Sequence, residues 1–329
     1  MRTAVLIPCY NEALTIARVV GDFRRELPEA TVYVYDNDST DDTAELAAAS
    51  GAVVRLTRRR GKGAVVRAMF REVEADVYLM VDGDDTYPAS SARALVDIVA
   101  SGRADMAVGD RRTGGDYSRT RVRRFHTLGN MLVTYLLNLL FRARLSDIMS
   151  GYRAFNRTFV KSCPVLLDGF EVETLMTLHA LDKLFTIAEV PVGYRDRPAG
   201  SGSKLSTLGD GFRVLRAIVW VFKDSKPLIF FLFLSALTFL VSLLLGAPVV
   251  AQAVRAHHVS SLASAVLATG VAIIGAVLLA CGLVLDTIVK IHREDFEVQL
   301  LNRQPPEGPT GGSSPGAGRP GRGGPASTG

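Results

Sequence analysis

The chain has 329 residues, 48% of them hydrophobic, with a mean hydropathy of +0.21 and a formal net charge of +5. It is longer than one typical domain and too apolar for an ordinary soluble protein. No nucleic-acid motif appears and the basic groups are not interleaved with aromatics; Cys9, Cys163 and Cys281 have neither metal-ligand nor disulfide-framework spacing.

In chain order, Thr3 to Ile7, Thr31 to Tyr35, Ala52 to Leu56, Val77 to Val81 and Ala104 to Val108 are short apolar runs of buried-strand type, and the segments between them suit amphipathic helices. The alternation predicts an α/β fold: a mainly parallel sheet with helices on both faces. Ligands of such sheets bind beyond the carboxyl ends of the strands. Glu12 follows the first run, Asp36 and Asp38 the second, and Asp82, Asp84 and Asp85 the fourth, so these carboxylates are expected along one crevice.

Beyond Arg111 the pattern loosens into an apolar helix around Met131 to Phe141, a turn at Ser150-Gly151, a helix near Glu171 to Leu184, a strand near Thr186 to Val190 and a loop from Tyr194 to Lys204. Phe212 to Phe222 mixes apolar bulk with Arg213 and Arg216, as in an interfacial helix before a membrane. Leu228 to Leu245 and Leu262 to Leu285 carry no charge and no polar stripe; at 1.5 Å per residue each reaches across a hydrocarbon core, so both read as transmembrane helices. The Pro, Gly and Ser tail after Gln304 reads as disordered. The expected organisation is a catalytic domain over 1–210, a juxtamembrane helix over 211–226, a two-helix hairpin over 227–290 and a tail over 291–329.

The first twenty residues lack the apolar core of a signal peptide. Arg213, Arg216, Lys223 and Lys226 precede the first span, and Lys290 and Arg293 follow the second. The connecting segment Gly246 to Ser261 holds only Arg255, which predicts a multi-pass membrane protein with both termini and the large domain in the cytosol. Clusters at Arg58-Arg59-Arg60-Gly61-Lys62, Arg111-Arg112 and Arg119 to Arg124 suit phosphate ligands or an anionic membrane surface.

Asp82-Gly83-Asp84 places two hard-oxygen donors at a strand end, where glycine allows a tight turn; Mg²⁺ or Mn²⁺ holding a diphosphate suits them. A calcium loop at Asp36 to Ala47 fails, having Asp41 where glycine and Ala47 where glutamate is needed, and Gly61-Lys62-Gly63 lacks the remaining residues of an ATP-binding loop. Ser39 with Asp42 fits a helix-capping pair, Asp36 suits a base N–H or ribose hydroxyl, and Lys62 reads equally as a phosphate contact or a solvated helix-start side chain.

Ile7-Pro8-Cys9-Tyr10-Asn11-Glu12, Tyr35-Asp36-Asn37-Asp38-Ser39-Thr40-Asp41, Gly61-Lys62-Gly63, Val81-Asp82-Gly83-Asp84-Asp85-Thr86-Tyr87-Pro88, Ser150-Gly151-Tyr152-Arg153 and Arg197-Pro198-Ala199-Gly200-Ser201-Gly202-Ser203-Lys204-Leu205 follow one another in order. The series resembles that of family 2 glycosyltransferases, most of all the polyprenyl-phosphate branch that includes dolichol-phosphate mannose synthase. The resemblance implies a GT-A, Rossmann-like domain and inverting transfer of one sugar from a nucleotide-sugar to a polyprenyl phosphate such as undecaprenyl or dolichyl phosphate. Carried over by motif, Pro8, Tyr10, Glu12, Asp36 and Asp38 would surround the nucleoside, and Asp82, Gly83 and Asp84 the cation and diphosphate. Arg111 would meet phosphate, and Arg197, Ser203 and Lys204 would belong to a loop closing over donor and acceptor. Asp36-Asn37-Asp38 stands where the family has Asp-Asp-Gly, and Thr86 where the mannose branch often has Gln. UDP-glucose or UDP-N-acetylglucosamine is therefore expected ahead of GDP-mannose.

An acceptor phosphate monoester is largely dianionic at neutral pH and needs no strong base, only relief of repulsion from the donor diphosphate. Asp84 as chief cation ligand, Arg111, Arg197 and Lys204 as phosphate neutralisers, and Asp147 and Glu173 as sugar-positioning groups fit that need. Two other readings stand beside it: a family 2 enzyme acting on a glycan hydroxyl, which would need a poised carboxylate base and more spans to thread a polymer, and a noncatalytic membrane scaffold. A homo-oligomer is compatible with all of them.

Overall fold

The computed structural model describes residues 1–113, 124–165, 172–195, 219, 222–224, 226–256 and 261–303. Seven strands form one sheet in the order β3-β2-β1-β4-β6-β5-β7. They are β1 (Thr3–Cys9), β2 (Thr31–Asp36), β3 (Val53–Leu56), β4 (Val77–Met80), β5 (Met106–Asp110), β6 (Arg153–Asn156) and β7 (Ile187–Pro191). Every pairing is parallel except those of β6, which runs antiparallel between β4 and β5. The expected mainly parallel sheet is therefore present, with one inserted strand that apolar patterning did not predict. β6 is four residues long and begins on Arg153, which is fully buried, so it reads as a turn.

Helices α1 (Ile16–Glu26), α2 (Thr43–Ala49), α3 (Lys62–Glu72), α4 (Ala92–Ala100), α5 (Arg124–Phe141), α6 (Arg157–Ser162) and α7 (Val172–Asp182) accompany the sheet. The strands are apolar on both sides because each side is covered. Val5, Ile7, Val34 and Leu79 join α1 and α4 residues such as Phe23 and Leu95 in one core, whereas Leu6, Tyr78 and Met80 join Val66 and Met69 of α3 and Met176 of α7 in the other. α6 starts where Asn156 Oδ1 accepts from Phe159 N at 2.8 Å. Ser39 and Asp42 do not form the expected capping pair: Asp42 precedes α2 without a side-chain capping bond, and Ser39 Oγ donates to Asp36.

Two long apolar helices follow, α8 (Pro227–Ala256) and α9 (Leu262–Arg303), long and apolar enough to cross a membrane. They pack as a hairpin, Ser235 Oγ donating to Gly275 O and Ser242 Oγ to Ala268 O, both at 2.8 Å, so these two hydroxyls face the partner helix. Both helices exceed the predicted spans. α8 continues through Pro248, whose missing N–H removes one hydrogen bond but does not end a helix in apolar surroundings. α9 continues past Asp286 as a charged helix to Arg303, through the first residues of the segment named as a tail over 291–329. The interfacial helix expected over 211–226 falls mostly outside the described residues, as do the tail after 304 and the Arg119 to Arg123 part of the basic cluster.

α7 ends against α9. His179 is buried among Phe159, Phe185 and Phe296, and its Nε2 has no hydrogen-bond partner among the described residues. Burial, with Lys183 adding repulsion against Asp182's weaker attraction, pushes its pKa down to about 4. The unfolded chain therefore binds a proton there between pH 6.5 and 4 and the native chain does not, so the neutral imidazole's contribution is full above that window and is lost as pH falls through it. Lowering the pH from 7.5 to 5 should cost about 2 kcal/mol of stability through this group alone. His179→Phe should remove that part of the slope, as read by denaturant titration at the two pH values.

Candidate active site

The chain reverses across the sheet between β1 and β4, and the crevice beyond their carboxyl ends is where ligands of doubly wound sheets bind. The loops after β1, β2, β4, β5 and β7, and the approach to β6, share that edge because the register sets their strands alongside one another. Three residues in these loops, Asn11, Asp38 and Asp85, hold φ of 51°, 61° and 56°. Asn and Asp tolerate this left-handed region better than other side chains.

After β1, Asn11 and Glu12 are tied to the loop after β2: Asn11 N donates to Ser39 Oγ at 2.9 Å, Thr40 N to Asn11 Oδ1 at 2.8 Å and Glu12 N to Thr43 Oγ1 at 2.9 Å. Asp36, buried at the end of β2, accepts from Ser39 N at 3.1 Å. Pro8 lies within β1, and Tyr10 stands at its exit, where Arg60 donates to the Tyr10 hydroxyl at 3.1 Å and lies 3.5 Å from Asp38. Tyr10, Asp38 and Arg60 thus form one exposed polar rim.

Asn37, assigned no role from sequence, organises the next loop. Its amide donates to Thr57 O at 2.9 Å and Arg59 O at 2.8 Å, and its oxygen accepts from Gly61 N at 2.8 Å. Gly61 holds φ 114°, which glycine alone adopts without strain, and α3 begins at the next residue. That geometry delivers Lys62 into the crevice. Its Nζ lies 2.5 Å from Asp82 Oδ1 and 2.5 Å from Glu173 Oε1, with only 11% of the side chain exposed. The solvated reading of Lys62 is thereby set aside. Burial disfavours its charge, but the two carboxylates outweigh that and raise its pKa above the ordinary lysine value.

The acidic run divides its labour. Asp82 faces Lys62 on one side and Gly151 on the other, and a methyl group added at Gly151 would collide with Asp82 Oδ2. Asp84 is buried and its Oδ1 accepts from Thr86 Oγ1 at 2.6 Å and Thr86 N at 3.2 Å. Asp85 lies 3.2 Å from Arg18 and 3.9 Å from Arg195. Gly151→Ala should displace the Asp82 carboxylate and raise the apparent KM for the donor about tenfold, with little loss of stability, since geometry around the reacting groups is what it disturbs; steady-state kinetics and a thermal melt check both halves.

Arg111 and Asp147, expected to meet phosphate and sugar, meet each other. Arg111 Nε donates to Asp147 Oδ2 at 2.6 Å and Nη2 to Oδ1 at 2.9 Å, a bidentate pair with Asp147 wholly buried. Glu189 of β7 accepts from Ser146 N at 2.7 Å and Asp147 N at 3.0 Å, and the Arg111 guanidinium lies 5.5 Å from the Tyr194 ring centroid. Arg153 lies beneath. Burial lowers its pKa to about 10 against the pull of Glu173 and Asp147, and it donates to Ser150 O, Thr177 Oγ1 and Ile148 O at 2.8, 2.8 and 2.5 Å. The Tyr87 hydroxyl accepts from Gly151 N at 3.1 Å. Arg153 and Tyr87 stood in motifs but had no role assigned; the buried turn they hold is visible only in three dimensions. Arg197, Ser203 and Lys204 lie outside the described residues.

Among the described residues no three His, Cys, Asp or Glu side chains converge as a closed metal cage. Mg²⁺ and Mn²⁺ at diphosphates typically take one or two carboxylates and draw the remaining oxygens from phosphate and water. Asp84 and Asp82, hard oxygen donors at one strand end, fit that incomplete donor set.

Comparison with known proteins gives a consistent picture. The profile of glycosyl transferase family 2 matches residues 4–163. Glycosyltransferase AglJ of Haloferax volcanii is 33% identical over 294 residues, covering 89% of this chain and 95% of that protein. The dolichyl-phosphate hexose transferase of the same organism is 30% identical over 68% of this chain and 95% of its own length. Among solved structures, glucosyl-3-phosphoglycerate synthase from Mycobacterium tuberculosis in complex with Mn²⁺, UDP-glucose and phosphoglyceric acid superposes with a TM-score of 0.53 at 23% identity, covering 68% of this chain and 79% of that one. This last likeness concerns the fold.

Proposed function

The chain belongs to glycosyl transferase family 2, and from that premise we propose that it transfers one sugar, with inversion, from a nucleotide-sugar to a polyprenyl phosphate at the membrane surface. The observation that carries this reading is the Asp82–Lys62–Glu173 cluster beside Asp84, built at the nucleotide edge of a domain joined to two membrane-length helices. Asp36 and the Tyr10, Asp38 and Arg60 rim take the nucleoside. Lys62 keeps Asp82 oriented toward the diphosphate, and Asp84 with Asp82 holds Mg²⁺ or Mn²⁺. When bound, the cation offsets diphosphate charge and stabilises the departing nucleoside diphosphate.

An oxygen of the acceptor phosphate forms the new bond to the anomeric carbon as the bond to the donor β-phosphate oxygen breaks in line. The electron pair leaves with the nucleoside diphosphate, and a dianionic acceptor has no proton to lose. Arg111, held in place by Asp147, serves the phosphates electrostatically, and Glu173 borders the sugar. Arg197, Ser203 and Lys204 supply further donors to the phosphates. Both termini and the catalytic domain lie in the cytosol on the basic-residue asymmetry of the spans. The donor is UDP-glucose or UDP-N-acetylglucosamine in preference to GDP-mannose.

The test is incubation of the full chain in membranes with polyprenyl phosphate and a panel of labelled nucleotide-sugars. Label from one donor should enter the organic phase as an acid-labile lipid phosphate sugar. Transfer from no donor to lipid, with label instead appearing on glycan, would overturn the reading.

A further inference from the structure

Among the described residues, the large domain touches the hairpin helices at two points. One adjoins the covalent passage: Lys226, directly before α8, lies with its Nζ 5.4 Å from the Phe141 ring centroid at the end of α5. The other is remote in sequence. α9 is 42 residues long, about 63 Å at 1.5 Å per residue and roughly twice a hydrocarbon core. Its first charged residue is Asp286, so the apolar part is long enough to span and 286–303 continues as a helix into water.

That extension seats on the end of α7 farthest from the crevice. Arg293 Nε donates to Asp182 Oδ1 at 2.9 Å, and Nη2 reaches the same carboxylate. Phe296 stands edge-on to His179 at 5.8 Å and to Phe185 at 6.2 Å, with Lys183 Nζ 4.9 Å from its ring centroid. A domain held by one linker could swivel over the bilayer; two contacts on stiff helices remove that freedom. The consequence follows from the chemistry proposed above, on which this inference rests. A lipid-borne phosphate stays at the height of the membrane surface, so only orientations that bring the crevice there are productive, and apparent affinity falls with the fraction of competent orientations.

We propose that the extension of α9 is a strut that fixes the standing of the crevice over the bilayer, with Arg293, Phe296 and Asp182 as positioning residues that never touch substrate. The experiment uses the full chain in lipid vesicles with Cys281→Ser and spin labels at Glu45→Cys and Phe233→Cys, the remaining Cys9 and Cys163 being buried. The parent should give a narrow distance distribution and Arg293→Ala/Phe296→Ala a broad one. For that variant, kcat/KM for a long-chain polyprenyl phosphate in the vesicle should fall about tenfold, while that for a short, water-dispersed prenyl phosphate should change less than about twofold. The exchange Asp182→Arg/Arg293→Asp should restore the narrow distribution that either single change broadens. An unchanged distribution in the double alanine variant overturns the strut, and equal losses on both acceptors overturn its positioning role. A parent that transfers to neither acceptor refutes the enzymatic reading instead, and the distance measurement still decides whether the strut exists.

Discussion

Asp84→Asn should lower sugar transfer by about two to three orders of magnitude, the range found when one preorganised electrostatic contact to a developing charge is removed. The substitution is informative because the local hydrogen bonds permit it. Thr86 Oγ1 and Thr86 N both donate to Asp84 Oδ1, and an asparagine oxygen accepts from the same two donors. Shape and burial are kept, so the change removes one negative charge from the loop after β4, and with it the carboxylate proposed as cation ligand. Nucleotide binding in the presence of Mn²⁺ should weaken in parallel while the thermal midpoint stays near the parent value. Near-parental transfer by labelled-donor assay would remove Asp84 from the cation site. Thr86→Val is the companion variant: it removes the hydroxyl donor and leaves the charge, so its loss should be much smaller.

Why some of this site was legible in sequence and some was not follows from what each residue needs. Asp36 and Asp82 follow apolar runs directly, with Asp84 two residues on, and runs buried on both faces are the strongest signal a parallel sheet leaves in sequence. The strand ends, and hence the crevice, could be placed from pattern alone. Lys62 was ambiguous because its burial comes from Asp82 and Glu173, which approach from two distant elements that local pattern cannot bring together. Arg153 was invisible as a core residue because arginine is almost never fully buried unless satisfied. Its partners are backbone carbonyls of the adjoining turn and Thr177 of α7, and carbonyls leave no trace in residue type. The helical form of 291–303 left no sequence signal for a related reason: Phe296 packs against His179 and Phe185, rings that lie far from it in the chain.

The same dependence on distant partners gives substitutions at Lys62 a large expected effect. Lys62→Met keeps length and apolar stem but leaves Asp82 and Glu173 facing one another across a site where Glu173 is nearly wholly buried. Removing one member of a buried ion network costs about 3–5 kcal/mol, because the remaining charges lose their compensation rather than because the pairs were strongly favourable. The variant should therefore be both inactive and markedly less stable in denaturant titration, a result that alone cannot separate structure from function. Lys62→Met/Glu173→Gln can. Neutralising the more buried carboxylate should recover a large part of the lost stability, since the uncompensated buried charge is gone, while Asp82 still lacks the ammonium that orients it and transfer stays low. Recovery of transfer along with stability would mean that Lys62 serves the fold alone. Recovery of neither would mean that Glu173 contributes little to the penalty and that the pairing with Asp82 dominates.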